Sequence, residues 1–340
     1  MINRNQKLIF VVGNSRSGTT MLGRMLGRNS QVYKFPELHL FGPCIPHGQE
    51  LKPMSEAEVT NAFCWLLDVA DRKLHATRLP NKYINAATAL CKEHYHPSIH
   101  AWEVYYHFVL YEVKKKGKEI PSEDLPGNVF KIDQIIEIFP EAVFINMIRD
   151  PRDVLLSQKN RHHRRKHGGG YVKRREMLRF WANYHPQMIC RLWKNAINAG
   201  YTPPREKVFN VYFEKLIINP ASTLQEICMH CGIEYQIDML NVPQVGSSMR
   251  KDEPEKAGID STRTGTWNSG GLNAAEIEIC EKINGDWMDS LGYSRSNLKG
   301  TFVQKVKLYL LLPIKLVLAL LLNWNRTKGR LHYLVSRFFK

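Results

Sequence analysis

The chain has 340 residues, 44% of them hydrophobic, with 48 Lys and Arg against 32 Asp and Glu and a formal net charge of +16. That length and apolar content bury a substantial core and exclude a disordered chain, while the basic excess favours anionic partners: a nucleotide, an acidic glycan, nucleic acid or anionic lipid. Seven dispersed cysteines, an odd number, exclude the disulfide framework of a small secreted scaffold.

The first element is an apolar run, Leu8 to Val12, followed by Gly13-Asn14-Ser15-Arg16-Ser17-Gly18-Thr19-Thr20 and then by Met21, Leu22, Met25 and Leu26 at helical spacing. This predicts strand, glycine-rich turn, helix. Gly13 and Gly18 let the backbone close around an anion, successive N–H groups converge on it, and the helix adds the positive end of its dipole. In an ATP- or GTP-binding loop a lysine follows the second glycine; Thr19 stands there instead, and the loop's one cation is Arg16. A kinase or NTPase is disfavoured on that ground. Arg16-Ser17-Gly18-Thr19-Thr20 resembles the 5′-phosphosulfate loop of the sulfotransferases that use 3′-phosphoadenosine-5′-phosphosulfate (PAPS). The resemblance implies that Arg16 touches the oxygen bridging sulfur and phosphorus, and that Ser17, Gly18, Thr19 and Thr20 hold the 5′-phosphate.

After the first helix comes Glu37-Leu38-His39-Leu40-Phe41. Glycan and protein-tyrosine sulfotransferases place a glutamate here as general base, so the resemblance assigns that role to Glu37, with His39 as the alternative base or as the group that orients Glu37. Partial burial beside aromatic residues would raise the Glu37 pKa, and Arg16 would oppose the shift. The stretch from Gly42 to Gly127, rich in residues such as Trp65, His94, Trp102 and Tyr105, is expected to be helical and to cover the acceptor cleft. Lys131, in the stretch Asn128 to Asp133, follows a further strand. It resembles a family lysine that points into the cleft, although Asp133 departs from the proline common in the family.

Val143 to Ile148 reads as a buried strand, ending at Arg149-Asp150-Pro151, where Asp150 is a helix cap and Pro151 a first-turn residue. Ser157 follows two turns on, on the side of the helix entry. The spacing of Arg149 and Ser157 is that of the family's 3′-phosphate site, and arginine suits it because its planar fork grips phosphate oxygens bidentately. Lys159 to Arg175 is densely basic. It either steers a polyanion toward the site or is a solvated insertion. Its histidines lack carboxylate or cysteine partners at metal-ligand spacing, so no metal is expected.

Lys207 to Leu216 resembles the family's strand and tyrosine-containing turn, leading into a helix from Ala221 to Cys231. Tyr212 is then either a nucleotide contact or a core aromatic, and Cys228 and Cys231 read as packing. Ser261-Thr262-Arg263-Thr264-Gly265-Thr266-Trp267 resembles the late loop that folds over the adenosine phosphate end, which implies Arg263, Gly265 and Trp267 as cofactor contacts. The Trp267 ring would stack on adenine or pack on the lid.

From Leu308 to Leu322 the chain is apolar apart from Pro313 and Lys315, and no acidic residue follows Asp289. The run falls short of the ~20 residues of a spanning helix, so a helix lying in a membrane interface is expected, with packing on the globule and a tilted span as alternatives. The nucleotide loop begins so early that no secretory signal precedes it, which implies a cytoplasmic protein, peripheral at the inner face of a membrane.

The fold expected is α/β: a P-loop-like parallel sheet flanked by helices. Residues 1–296 form one catalytic domain, with 42–127 a helical acceptor-side insertion and 159–175 a basic loop, and 297–340 form a basic amphipathic tail that anchors on an anionic membrane surface. The function implied is transfer of a sulfo group from PAPS to a hydroxyl of a carbohydrate, glycolipid or other acceptor, without metal or nucleic acid. Two other readings compete: a nucleotide kinase or NTPase of related fold, and a catalytically inactive nucleotide- or polyanion-binding membrane-surface protein.

Overall fold

Leu8–Gly13, buried at every position, forms the central strand β1 of the computed structural model. The structure describes residues 6–39, 52–72, 80–162, 173–204, 206–246 and 251–327. After β1 come α1 (Thr19–Leu26), β2 (Val32–Phe35), α2 (Glu56–Arg72), α3 (Ile84–His94), α4 (Ala101–Lys115), β3 (Ile120–Glu123), α5 (Ile132–Ile138) and β4 (Ala142–Ile148). The second half contains α6 (Pro151–Lys159), α7 (Arg174–Asn183), α8 (Pro186–Tyr201), β5 (Val208–Tyr212), α9 (Phe213–Ile218) and α10 (Pro220–Cys231). A short pair, β6 (Pro243–Gln244) and β7 (Glu253–Ala257), precedes α11 (Ala274–Ser290) and α12 (Phe302–Thr327).

The main sheet has the order β2-β3-β1-β4-β5, and every neighbouring pair is parallel. Helices cover both faces, which explains why β1 is a continuous apolar run instead of an alternating one. Leu8, Phe10 and Val12 point into one core with Phe144, Phe108 and Phe139, whereas Ile9 and Val11 point into the other with Leu22, Met25, Leu216 and Ile227. Opposite β1 on β4, Phe10 pairs with Phe144, and their rings stack at 5.4 Å.

From β1 the chain turns toward β2, and from β4 it turns toward β5 at the other edge. The loops after β1 and β4 therefore diverge and leave a crevice at the carboxyl ends of the strands, the position where open α/β sheets bind ligands. The P-loop-like parallel sheet is as the sequence implies. One local expectation is corrected. Helix does not continue through Gly127, because Ile120–Glu123 forms β3 and inserts between β2 and β1. Lys131 does come after a strand, β3, and ends a 3-10 turn, Pro126–Lys131, that runs directly into α5.

The apolar tail segment belongs to a longer helix than its composition suggests. Phe302–Trp324 is, among the described residues, the one helix long and apolar enough to cross a membrane.

Candidate active site

The turn after β1 is shaped by two close approaches. A Cβ on Gly13, at φ 135°, would stand 2.5 Å from the Met147 carbonyl oxygen of β4; one on Gly18, at φ 95°, would stand 2.5 Å from the Phe213 ring. Glycine is therefore required at both positions on steric grounds as well as by φ. Between them Arg16 holds φ 76°, a left-handed conformation that is uncommon for a long side chain. Its Nε donates to Ser157 Oγ at 2.9 Å and its Nη2 to the Gly246 carbonyl at 3.2 Å. Ser17 is fully buried, and its Oγ has no hydrogen-bond partner among the described residues. Thr19 is buried at the first turn of α1, while Thr20 is exposed.

The second arginine ties the loops together. Asp150 caps α6 by accepting from Arg152 N at 2.8 Å, and the Arg149 carbonyl accepts from Trp193 Nε1 at 2.9 Å, which fixes the backbone at the end of β4. The Arg149 guanidinium lies over the Phe213 ring at 4.3 Å and donates to the Arg16 carbonyl at 3.2 Å and to the Arg263 carbonyl at 2.8 Å. Its Nε is buried without a hydrogen-bond partner among the described residues.

Asp153, one turn into α6, organises the late loop. Its carboxylate accepts from Gly265 N at 2.9 Å, Thr266 Oγ1 at 2.8 Å and Trp267 N at 2.9 Å, and it stands 3.6 Å from Arg149 Nη2. The Trp267 ring lies under the Arg152 guanidinium at 3.8 Å and packs with Leu156 and Ile277. Arg152 is in turn bonded to Asp150 and Glu281.

These segments enclose a cavity of about 250 Å³ lined by five arginines, Arg16, Arg24, Arg149, Arg161 and Arg263, against the carboxylates of Glu37 and Asp153. Gly18, Thr19, Thr20, Ser157 and Phe213 complete the wall that matters for an anion. With Asp153 occupied by the late loop, the lining is strongly cationic. Among the described residues no cluster of His, Cys, Asp or Glu has metal-binding geometry.

At the other side Glu37 lines the same cavity with its side chain 48% exposed. His39, at φ 54°, places Nε2 3.6 Å from Glu37 Oε2. Leu40 and Phe41 lie outside the described residues. Beneath this segment Glu123, at the carboxyl end of β3, accepts from Leu38 N at 2.7 Å, His39 N at 3.1 Å and the Tyr105 hydroxyl at 3.1 Å. Burial pushes the Glu123 carboxyl up to about 7, with the nearby charge of His39 and these hydrogen bonds pulling the other way.

Of the residues singled out from sequence, the structure gathers Arg16, Gly18, Thr19, Thr20, Glu37, Arg149, Ser157 and Arg263 around one cavity. Ser17, His39, Tyr212, Gly265 and Trp267 do not line it. Tyr212 faces Tyr293 at 6.5 Å, and its neighbour Phe213 supplies the ring that lines the cavity. Lys131 is buried and away from the lining. Of the basic loop, residues 163–172 lie outside the described residues, whereas Arg161 lines the cavity. Sequence reasoning missed Asp153, Glu123, Phe213 and Arg24. Only Asp153 carried a signal, as a carboxylate one helical turn beyond Arg149.

A family model described as the sulfotransferase family matches residues 9–237. The chain belongs to that family. The sulfotransferase domain of the Synechococcus PCC 7002 olefin synthase is similar in fold, with a TM-score of 0.50 and 20% identity over 84% of this chain and 96% of that domain. An uncharacterized protein of Aquifex aeolicus (strain VF5) is 23% identical over 78% of this chain, and a protein-tyrosine sulfotransferase of Drosophila melanogaster 21% identical over 70%. The matched regions amount to 30% and 40% of those two proteins' own lengths.

Proposed function

We propose that the protein transfers a sulfo group from PAPS to a hydroxyl, with a glycan or glycolipid acceptor favoured. The observation that supports this best is the placement of the Arg16 guanidinium, held by Ser157 and Gly246 within a cavity that Arg149 and Arg263 also line. A further feature fits an anionic nucleotide: among the described residues the buried Nε of the cavity-lining Arg149 has no hydrogen-bond partner.

When bound, PAPS supplies a sulfo group activated by its bond to a phosphate oxygen. Arg16 would face the bridging oxygen and offset the charge that develops there. Gly18, Thr19 and Thr20, with Ser17 buried behind them, would hold the 5′-phosphate at the start of α1, and Arg149, Ser157 and Arg263 would hold the 3′-phosphate. Gly265 and Trp267 act through the loop that they anchor on Asp153 and Arg152, and Tyr212 through the turn that presents Phe213. Glu37, open to the cavity, takes the acceptor's proton, and His39 orients it.

For the acceptor, the apolar α12 favours a saccharide carried on a lipid, whereas Trp102, Tyr105 and Tyr106 of α4 are buried in the core and offer no exposed platform. The proposed place is peripheral, at the inner face of a membrane; the six described cysteines are free, which a reducing compartment permits.

The test is transfer of radiolabelled sulfate from PAPS to glycan and lipid extracts. The wild-type protein is expected to form labelled product, and Glu37→Gln to bind the donor and form none. A purified protein that binds the donor and labels nothing contradicts the reading, and an active Glu37→Gln moves the base to His39.

A further inference from the structure

We propose that α12 and α7 together form a platform that lies flat on an anionic bilayer, with α12 in the plane of the surface and not across it. The inference rests on the peripheral reading and gives it a surface and an orientation.

One side of α12 is fastened to the globule from its first turn to its last. Lys305 Nζ donates to Glu278 at 2.9 Å, His185 Nε2 lies 3.1 Å from the Leu308 carbonyl, and Arg179 Nη1 donates to Asn323 Oδ1 at 3.2 Å. Midway, Lys315 is buried and donates to the Tyr184 carbonyl at 2.7 Å and the Trp181 carbonyl at 3.1 Å, at the end of α7. A helix crossing the membrane in this arrangement would carry Glu278, Arg179 and the polar end of α7 into hydrocarbon, which is strongly unfavourable.

The opposite side is apolar and exposed. Val303, Leu310, Ile314, Val317 and Leu321 recur at helical spacing and are 53–74% exposed. Alongside, α7 contributes Leu178 and Trp181, 47% and 38% exposed. A stripe of this length is more than scattered surface hydrophobics. Its charge surroundings decide the occupant. Exposed Lys173, Arg174 and Arg175 lead into α7, exposed Lys307 lies on α12, and no acidic residue follows Asp289. An apolar face with a cationic border matches acyl chains beneath anionic headgroups. The same α7 carries Phe180 under the cavity-lining Arg161 at 4.4 Å, so the platform is one helix from the site.

The test is flotation of the full chain with vesicles of phosphatidylcholine alone and of phosphatidylcholine mixed with phosphatidylserine, without donor or acceptor. Binding is expected to the mixed vesicles, weakened by salt. Leu310→Asp with Leu321→Asp, both at exposed positions, should lower it roughly tenfold or more at unchanged thermal stability. Nitroxides on Val303→Cys and Leu321→Cys, in a Cys44→Ser background, should report equal depth. Those positions are about 27 Å apart along a helix, close to the ~30 Å hydrocarbon thickness, so a spanning helix would put them at opposite sides. No binding to either vesicle overturns both the platform and the peripheral reading. Binding unaffected by the paired aspartates overturns the platform alone, as do nitroxides at opposite depths. A dimer in vesicle-free solution that the aspartates dissociate assigns the stripe to a second copy and overturns it too.

Discussion

Arg16 Nε donates to Ser157 Oγ at 2.9 Å across 141 residues of sequence, joining the turn after β1 to the second turn of α6. The bond holds the one cation of the glycine-rich turn in place before charge develops on a leaving oxygen, and preorganised charge is the form of stabilisation that accelerates a reaction most. Arg16→Ala should therefore lower kcat by roughly a hundredfold or more with a much smaller change in donor KM. Ser157→Ala should also weaken donor binding, because the account places Ser157 on the 3′-phosphate. Steady-state kinetics separate the two, and an Arg16→Ala protein with unchanged turnover removes Arg16 from the reaction.

The glycines differ in what opposes a side chain. At Gly13 the obstacle is the Met147 carbonyl within the sheet, whereas at Gly18 it is the Phe213 ring. Backbone cannot withdraw without breaking the ladder; a ring can be trimmed. Alanine at either position should destabilise by about 1–3 kcal/mol. Phe213→Leu should recover part of the loss for Gly18→Ala and none for Gly13→Ala, as read by chemical denaturation. Equal rescue of both would show that φ alone, and not contact, sets the requirement.

Asp153 satisfies three donors of the late loop from a fully buried position. Asp153→Ala leaves those donors without their partner and Arg149 without its nearest carboxylate, so the loop should loosen before the sheet does. Amide exchange over residues 263–267 is expected to accelerate at least about tenfold, with the β1 and β4 amides unchanged. Donor KM should rise. Protection of the loop equal to wild type would mean that the Trp267 contact with Arg152 suffices to hold it.

Glu123 gives a pH dependence with a definite sign. Burial raises its carboxyl from 4.5 to about 7, so the folded chain keeps a proton that the unfolded chain has lost. The stability from this group is complete below about 4.5 and is lost as pH rises through about 7. Glu123→Gln cannot titrate. Plotted against pH, the unfolding free energy of wild type minus that of Glu123→Gln should fall between those two values and level off above the upper one. A flat difference would mean that Glu123 stays ionised throughout.

The legible parts of this molecule are those where one short stretch holds its own explanation. Leu8 to Val12 is apolar at every position, two glycines follow, and helical spacing begins at once, so strand, turn and helix could be read in sequence. Asp150-Pro151 likewise announces the start of α6. β3 was hidden because Ile120-Pro121-Ser122-Glu123 is short and half polar, and only its place between β2 and β1 makes it a strand. Trp267 could be foreseen as a ring in the late loop, but its seat under Arg152 depends on Glu281, far along the chain, holding that guanidinium. Contacts of that kind, made across more than a hundred residues, leave no local pattern.

The most direct measurement is a calorimetric titration of adenosine 3′,5′-bisphosphate, the desulfated donor, into the folded protein. The account predicts one-to-one binding that weakens in Arg149→Ala and in a Ser157→Ala, Arg263→Ala pair, since these groups grip the 3′-phosphate. Absence of binding to a protein shown to be folded, or binding indifferent to those substitutions, would contradict it.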